Sequence, residues 1–182
     1  GGIYCYQSNF NIYNTLIQNN MAGSGSGGGI CISYSDSFNI SNSKIIENSG
    51  FRSGGIQAIY SNLNFKNVEI VGNEIDDGIA GIEIIECTFD FRKCLIARND
   101  GNMYSYSAAA FYDSQGYIIN STIANNYSPV YESSVLLDSC VILILNTIIQ
   151  NNYAENNLND IIQYDLYGNA EITYSDIGVL LP

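Results

Sequence analysis

The stretch Asn146-Thr-Ile-Ile149-Gln-Asn-Asn152 is one of six copies of a template that runs through the chain of 182 residues. Each copy begins with Asn or Lys, has Ile three residues later, and ends with Asn after three more residues. A seventh, incomplete copy begins at Tyr174. The spacing between first positions is 25 to 28 residues, which predicts a solenoid in which each repeat is one structural unit. The first positions of the six copies are Asn14, Asn42, Asn67, Lys93, Asn120 and Asn146.

The alternation of apolar and polar residues around each first position predicts two strands joined by a bend. In the second copy, Phe38 and Ile40 flank the polar Asn39, which is typical of a strand with one buried face. After the bend at Asn42, the buried parity shifts by one residue, to Ser43 and Ile45. Asn suits such a bend because it tolerates the left-handed backbone region better than other residues with a Cβ atom.

A third strand is predicted about ten residues before each first position. In the third copy it contains Ile56 and Ala58, and it follows a pair of glycines. Three short strands per repeat describe one rung, or full turn, of a parallel β-helix. We therefore predict an all-β fold, a single-stranded right-handed parallel β-helix of six to seven rungs in one domain over residues 1–182. A leucine-rich repeat would place its apolar residues five and three positions before the Asn, and here they lie four and two positions before it.

Two short signatures resemble the repeats of polymorphic outer-membrane adhesins, which carry Gly-Gly-Ala-Ile and Phe-x-x-Asn. Gly-Gly-Ile occurs at residues 1–3, 28–30 and 54–56, and Ile-x-x-Asn closes each of the six copies. The resemblance implies a right-handed, extracellular, surface-displayed β-helix, usually within a longer protein. The motifs maintain the coil and do not identify a ligand.

The composition argues against several function classes. Six Lys and Arg stand against 18 Asp and Glu, a net charge of −12, so we expect no nucleic-acid partner. The absence of His removes His-based catalytic triads and His zinc sites. The longest apolar run, residues 141–145, is far shorter than the ~20 residues that a helix needs to cross a bilayer, so we expect no membrane insertion.

The repeated asparagines allow two interpretations. They could form a polar binding face, or they could stack from rung to rung and satisfy the backbone at the bends. The regular spacing favours the structural interpretation. The residues concerned are Asn14, Asn42, Asn67, Asn120 and Asn146 in the first position, and Asn20, Asn48, Asn73, Asn99, Asn126 and Asn152 in the last.

The densest group of carboxylates, between Glu69 and Asp90, also has more than one interpretation. A solvated loop is favoured over a Ca²⁺ site at Glu74, Asp76 and Asp77, since Ca²⁺ takes several oxygen ligands. A pair of catalytic carboxylates is a third alternative. Apart from this Ca²⁺ we expect no cofactor.

Tyrosine and cysteine are the other suggestive residues. The chain has 15 Tyr, which either contact another protein or a sugar ring, or are simply good strand formers. Five Cys without Cys-x-x-Cys spacing predict neither a zinc site nor a complete set of disulfides. We expect Cys5 and Cys94 to be core residues. We expect Cys31 to face outward, where it could bond to another chain.

These observations predict a non-enzymatic structural or adhesive β-solenoid outside the cell or at its surface. No capping helix is evident at either end, so copies are expected to stack end to end into filaments. The alternative is a carbohydrate-active or carbohydrate-binding β-helix. The expected partners are another copy of the chain, a host or cell-surface protein, or a glycan, with specificity in the loops between rungs.

Overall fold

A computed structural model describes residues 1–75, 77–102, 107–129, 135–154, 162–164 and 169–177. These residues contain no helix, and their strands pair in parallel between consecutive rungs to form a β-solenoid of about six turns. The predicted all-β parallel solenoid is therefore confirmed. Three parallel sheets run along the coil, and each complete rung contributes strands to all three in the same order.

The first sheet contains the strand that follows the glycine pair in the first three rungs, and the equivalent strands of the later rungs. Its register places Ile30 beside Ile56, and Ile56 beside Ile82. Identical side chains are thus stacked along the inner face. Its strands are β1 (Ile3–Tyr6), β5 (Ile30–Ser33), β8 (Ile56–Ile59), β11 (Ile79–Ile85), β15 (Ser107–Tyr112), β19 (Val135–Asp138) and β23 (Ile162–Tyr164).

The second sheet contains the two strand segments on either side of the repeated first position. In the second and third rungs these segments form one continuous bent strand. Its strands are β2 (Phe10–Tyr13), β3 (Leu16–Gln18), β6 (Phe38–Ile46), β9 (Asn62–Val71), β12 (Thr88–Arg92), β13 (Leu95–Ala97), β16 (Gln115–Ile119), β17 (Thr122–Ala124), β20 (Val141–Leu145), β21 (Ile148–Gln150), β24 (Asn169–Thr173) and β25 (Asp176–Ile177).

The third sheet is a row of two-residue strands that follow the last Asn of each repeat. It is narrow because the chain leaves it at once for the loop that leads to the next rung. Its strands are β4 (Met21–Ala22), β7 (Ser49–Gly50), β10 (Glu74–Ile75), β14 (Asp100–Gly101), β18 (Tyr127–Ser128) and β22 (Tyr153–Ala154).

Each complete rung bends at three residues with positive φ. One bend follows the first-sheet strand, one lies at the repeated first position, and one lies just before the last Asn. At the repeated first position φ is 49° to 56° in all seven rungs, including those with Lys93 and Tyr174. The parity shift in the sequence thus marks a left-handed bend, where Asn has a lower conformational cost than most residues.

The core consists of continuous ladders of Ile, Leu, Val and Phe on the inner faces of the first two sheets. Phe65 and Phe91 stack with a centroid distance of 4.6 Å. In the next rung, a Cβ atom on Gly116 would lie 2.7 Å from the Phe89 ring, so this glycine leaves the space that the ring fills. The ladder is therefore closely packed even where the repeat departs from its template.

Candidate functional site

The last Asn of each repeat belongs to a ladder of buried amides, here called the inner ladder. The backbone N–H and the side-chain Nδ2 of Asn73 both donate to Oδ1 of Asn99, at 3.0 Å each. Nδ2 of Asn73 also donates to the carbonyl of Ile45 in the preceding rung, at 3.0 Å. The same side-chain bonds link consecutive members throughout Asn20, Asn48, Asn73, Asn99, Asn126 and Asn152.

The inner ladder leaves no room for a ligand. Asn73 and Asn99 are completely buried, and the amide of Asn73 uses both of its donor hydrogens and accepts two bonds from Asn48. The second residue of the glycine pair packs against this ladder, and in the fourth rung, where Ala80 replaces the first glycine, this residue is Gly81. A Cβ atom on Gly81 would lie 2.7 Å from Nδ2 of Asn99. The two sequence signatures, Gly-Gly-Ile and Ile-x-x-Asn, therefore meet in one structural unit.

The residue after each of the other two bends plays a similar part. The backbone N–H of Ser35 donates to Oγ of Ser61, and that of Cys87 donates to Oγ of Ser114. After the bend at the repeated first position, the N–H of Cys94 donates to Oγ of Ser121. In most rungs the residue after each of the three bends points inward and supplies an acceptor to the preceding rung, with Val68 as an exception. The sequence analysis placed Ser43 and Cys94 on the inner face but did not predict these hydrogen bonds between rungs.

The first Asn of each repeat forms a second ladder, here called the outer ladder, on the solvent-exposed side of its bend. Nδ2 of Asn67 donates to Oδ1 of Asn42 at 2.9 Å, and Nδ2 of Asn146 donates to Oδ1 of Asn120 at 2.6 Å. Lys93 lies between these two pairs. Asn14, in the first rung, is also exposed and has positive φ.

The carboxylates considered for Ca²⁺ are not brought together where the structure describes them. Glu74 lies in the third sheet, exposed and in register with Asp100. Asp77 lines a different cleft, together with Arg52, and Asp76 lies outside the described residues. Among the described residues no group of three or more Cys, Asp and Glu has metal-binding geometry. Partial burial raises the pKa of the Asp100 carboxyl, so this neighbour of Glu74 in the third sheet is partly desolvated.

An open cleft of about 550 Å³ runs along the outer face of the second sheet. Six consecutive rungs line it, from Asp36 to Glu171. Asn62 accepts a hydrogen bond from Thr88 of the next rung, and its own amide donates to the Asp36 carbonyl. The outward row of the cleft is Asn39, Asn64, Asp90, Tyr117, Leu143 and Glu171. The cleft therefore has polar side chains in its first three rungs, Tyr117 and Leu143 in the next two, and the charged Glu171 in the last.

A stack of tyrosines lies at the corner between the first and second sheets. The rings of Tyr34 and Tyr60 are stacked with a centroid distance of 5.0 Å, and Tyr6 meets Tyr34 edge-on at 5.7 Å. The hydrogen bond from Tyr60 to Glu86 raises the pKa of the Tyr60 phenol. Because Tyr34 and Tyr60 cover each other's facing sides, these ring surfaces are not available for stacking on a sugar.

The outer face of the first sheet is covered where the loops fold over it. Residues 51–53 and 77–79 lie along each other, and the N–H of Ile79 donates to the Arg52 carbonyl at 3.1 Å. The N–H of Gly54 in turn donates to the Ile79 carbonyl, also at 3.1 Å. Cys31 has outward parity but is only 8% exposed, so the expectation of an accessible thiol at this position is wrong.

Beneath these loops, a smaller pocket of about 360 Å³ opens beside Gln57 and Glu83. These two residues are in register in consecutive rungs, and Nε2 of Gln57 donates to Oε2 of Glu83 at 2.6 Å. Burial raises the pKa of the Glu83 carboxyl, although the bond from Gln57 and the charge of Arg52 oppose that effect. The alternation of inward and outward residues in the strands did not predict this pocket, because the residues that cover it belong to loops outside the repeat.

The five cysteines are all free and buried. Burial raises the pKa of Cys87 and of Cys94 to about 11, which keeps both thiols protonated at neutral pH. Cys5 and Cys94 lie in the core, as the sequence predicted.

Among the residues that the structure describes, there is no helix with the length and apolar character needed to cross a bilayer.

Comparison with known proteins gives no further information on this site. The chain matches no protein-family model, no curated protein and no solved structure.

Proposed function

We propose that the chain is a non-enzymatic β-solenoid that serves as a structural and adhesive element outside the cell or at its surface. The observation that carries this proposal is the open cleft along the second sheet, to which six consecutive rungs contribute. At ~4.8 Å per rung, the cleft is about 24 Å long. A long, open surface suits an extended partner better than a small substrate, which is usually enclosed.

The side chains of the cleft support contact with a protein or glycan surface. Tyr117 is 49% exposed and Val141 is 56% exposed, so apolar area is available beside the polar residues of the earlier rungs. Aromatic side chains of this kind contribute strongly to interfaces because they combine a large apolar area with a polar tip. The resemblance of the repeats to those of adhesins agrees with this role.

The buried thiols are compatible with an extracellular location. A thiol with a raised pKa is a poor nucleophile, and the core around Cys87 and Cys94 excludes solvent and oxidants. The chain can therefore keep its cysteines reduced without disulfides even where the surroundings are oxidising.

The adhesive proposal is tested by binding the purified chain to arrays of extracellular-matrix proteins, cell-surface proteins and glycans. The double variant Tyr117→Ala, Val141→Ser should weaken binding to any positive partner at least tenfold. Tyr4→Ala is the matched control, because Tyr4 is exposed on the first sheet, away from the cleft. Equal loss in both variants, or binding to none of the arrays, would contradict the proposal.

A carbohydrate-active β-helix is the second candidate. The observation that favours it is the row of amides and a carboxylate in the same cleft, Asn39, Asn64 and Asp90, which could hydrogen-bond sugar hydroxyls. Turnover of neutral or acidic polysaccharides, measured with and without Ca²⁺, separates it from simple adhesion. Flat activity over a broad panel would remove this candidate.

End-to-end assembly is a further part of the proposal. The three parallel sheets form backbone ladders that a second copy of the chain could continue in register. Electron microscopy over a concentration series tests this, since filaments should appear with rising concentration, and separate particles throughout would contradict it.

A further inference from the structure

The pocket over the outer face of the first sheet is lined by a polar side chain that is almost completely buried. Gln57 is only 2% exposed, although its side chain has outward parity. Its Oε1 accepts a weak bond from the Cys31 thiol, and its Nε2 donates to the Glu83 carboxylate at 2.6 Å. The side chain of Gln57 is thus held with its amide hydrogens toward Glu83. The pocket is also lined by Phe51, Ile59 and Tyr112, and by Arg52 and Asp77.

The charge of this pocket is not balanced within the described residues. Two carboxylates and one guanidinium line it, and neither carboxylate is within ion-pair distance of a cation in the part of the chain that the structure describes. A partly buried carboxylate without an ion pair is costly for the fold. Elsewhere on the surface, Glu69 and Asp90 have ion-pair partners in Lys44 and Arg92.

We propose that this pocket binds an alkylammonium group, that is, a primary amine at the end of a short apolar chain. The ammonium would supply the missing positive charge beside Glu83 and Asp77, and its three hydrogens could be shared between carboxylate oxygens. The apolar stem would contact Phe51, Ile59 and Tyr112, and the aromatic rings favour a nearby cation.

Two sources can supply this chemistry, a free small amine and a lysine side chain of a partner protein. The pocket lies on the first sheet and the long cleft lies on the second, so the inference does not depend on the proposed adhesive function. A volume of about 360 Å³ is enough for a single amine-bearing side chain or a small molecule of that size.

The test is a titration of the ¹⁵N-labelled chain followed by NMR, with the side-chain amide of Gln57 as the reporter. The probes are n-butylamine, its neutral counterpart butan-1-ol, and the peptide acetyl-Gly-Lys-Gly-amide. Saturable shifts of the Gln57 amide with an amine probe, and none with butan-1-ol, are expected. If butylamine alone binds, the ligand is a free amine, and if the peptide binds at least as tightly, it is a lysine side chain.

The variant Glu83→Gln should weaken amine binding at least tenfold while keeping the fold, because glutamine has nearly the same shape. The matched control is Glu47→Gln, since Glu47 accepts a bond from Gln18 at the same distance of 2.6 Å but on an exposed face. A second variant, Asp77→Asn, should weaken binding to a smaller extent. No shift of Gln57 with either amine, equal shifts with butan-1-ol, or unchanged binding in Glu83→Gln would overturn the proposal.

Discussion

The inner and outer ladders use the same residue at two positions of one repeat, for two different reasons. In the outer ladder the Asn itself has positive φ, as at Asn67, and its side chain is exposed. In the inner ladder the residue before the Asn has positive φ, as at Arg98, and the amide of Asn99 is buried. The outer position needs a backbone conformation, whereas the inner position needs a side chain. This is why Lys93 is tolerated in one and Asn occupies all six described positions of the other.

The largest expected effect comes from breaking the inner ladder with Asn99→Ala. The change removes the acceptor for the N–H and Nδ2 of Asn73 and the donor to the Ile70 carbonyl. Since each buried group left without a partner costs about 1–3 kcal/mol, we expect a loss of roughly 3–5 kcal/mol in the free energy of unfolding. Urea denaturation followed by circular dichroism measures it.

The control for this variant is Asn67→Gly in the outer ladder. Glycine accepts the positive φ of 56°, and only an exposed amide is lost. The expected change is within about 0.5 kcal/mol. Similar losses in the two variants would show that the ladders do not differ in the way described.

A smaller loss of stability is expected from Gly81→Ala, which places a methyl group against the inner ladder. The new Cβ atom would lie 2.7 Å from both Nδ2 of Asn99 and the Ala108 carbonyl oxygen, so the backbone must shift. Overpacking of this kind costs about 1–3 kcal/mol. Thermal unfolding should show a Tm lower by several degrees. Gly25→Ala, whose Cβ atom would have its nearest neighbour at 3.9 Å, should leave the Tm nearly unchanged.

The outer ladder can be repaired with Lys93→Asn. The residue has φ of 56°, which Asn adopts at lower cost than Lys, and the new amide would lie between those of Asn67 and Asn120. A gain of about 0.5–1 kcal/mol in the free energy of unfolding is expected. Lys66→Asn, at an exposed strand position, is the control and should give no gain. A loss in Lys93→Asn would mean that the lysine has a role beyond its backbone.

The smallest effect concerns Glu83, whose side chain has outward parity but is partly buried. Because burial raises the pKa of this carboxyl above its ordinary value, the folded chain holds the proton more tightly than the unfolded chain does. The stabilising contribution is complete below the unfolded pKa and is lost as the pH rises through the folded pKa. Glu83→Gln should therefore become more stable relative to the original chain as the pH is raised from about 4 to 8. Urea denaturation at each pH measures the difference, and a reversed trend in Glu83→Gln would refute the burial argument.

Much of the coil could be predicted from the sequence because the repeat records which way each side chain points. Phe38, Ile40 and Ile45 have the inward parity that was expected, and each is at most 1% exposed. The change of parity at Asn42 corresponds to a left-handed bend with φ of 49°. Parity is a local property of the backbone, so it can be deduced from neighbouring residues alone.

What parity could not predict is which outward side chains are covered. Cys31 and Gln57 point away from the core, yet both are buried by loops whose sequences do not repeat. In the same way, Glu74 and Asp77 are close in sequence but line different clefts, because the chain leaves the third sheet between them and approaches the first. Both outcomes depend on the paths of individual loops, which the template does not determine.

The inner ladder also has a mechanical consequence. The amides from Asn48 to Asn126 each span three rungs: Asn73, for example, contacts Ile45 in the rung before it and Asn99 in the rung after it. The hydrogen bonds of successive amides therefore overlap along the coil. Pulling two adjacent rungs apart would break bonds made by the amides of both rungs. Tension along the axis would therefore be shared among neighbouring rungs, as the structural role proposed above would require.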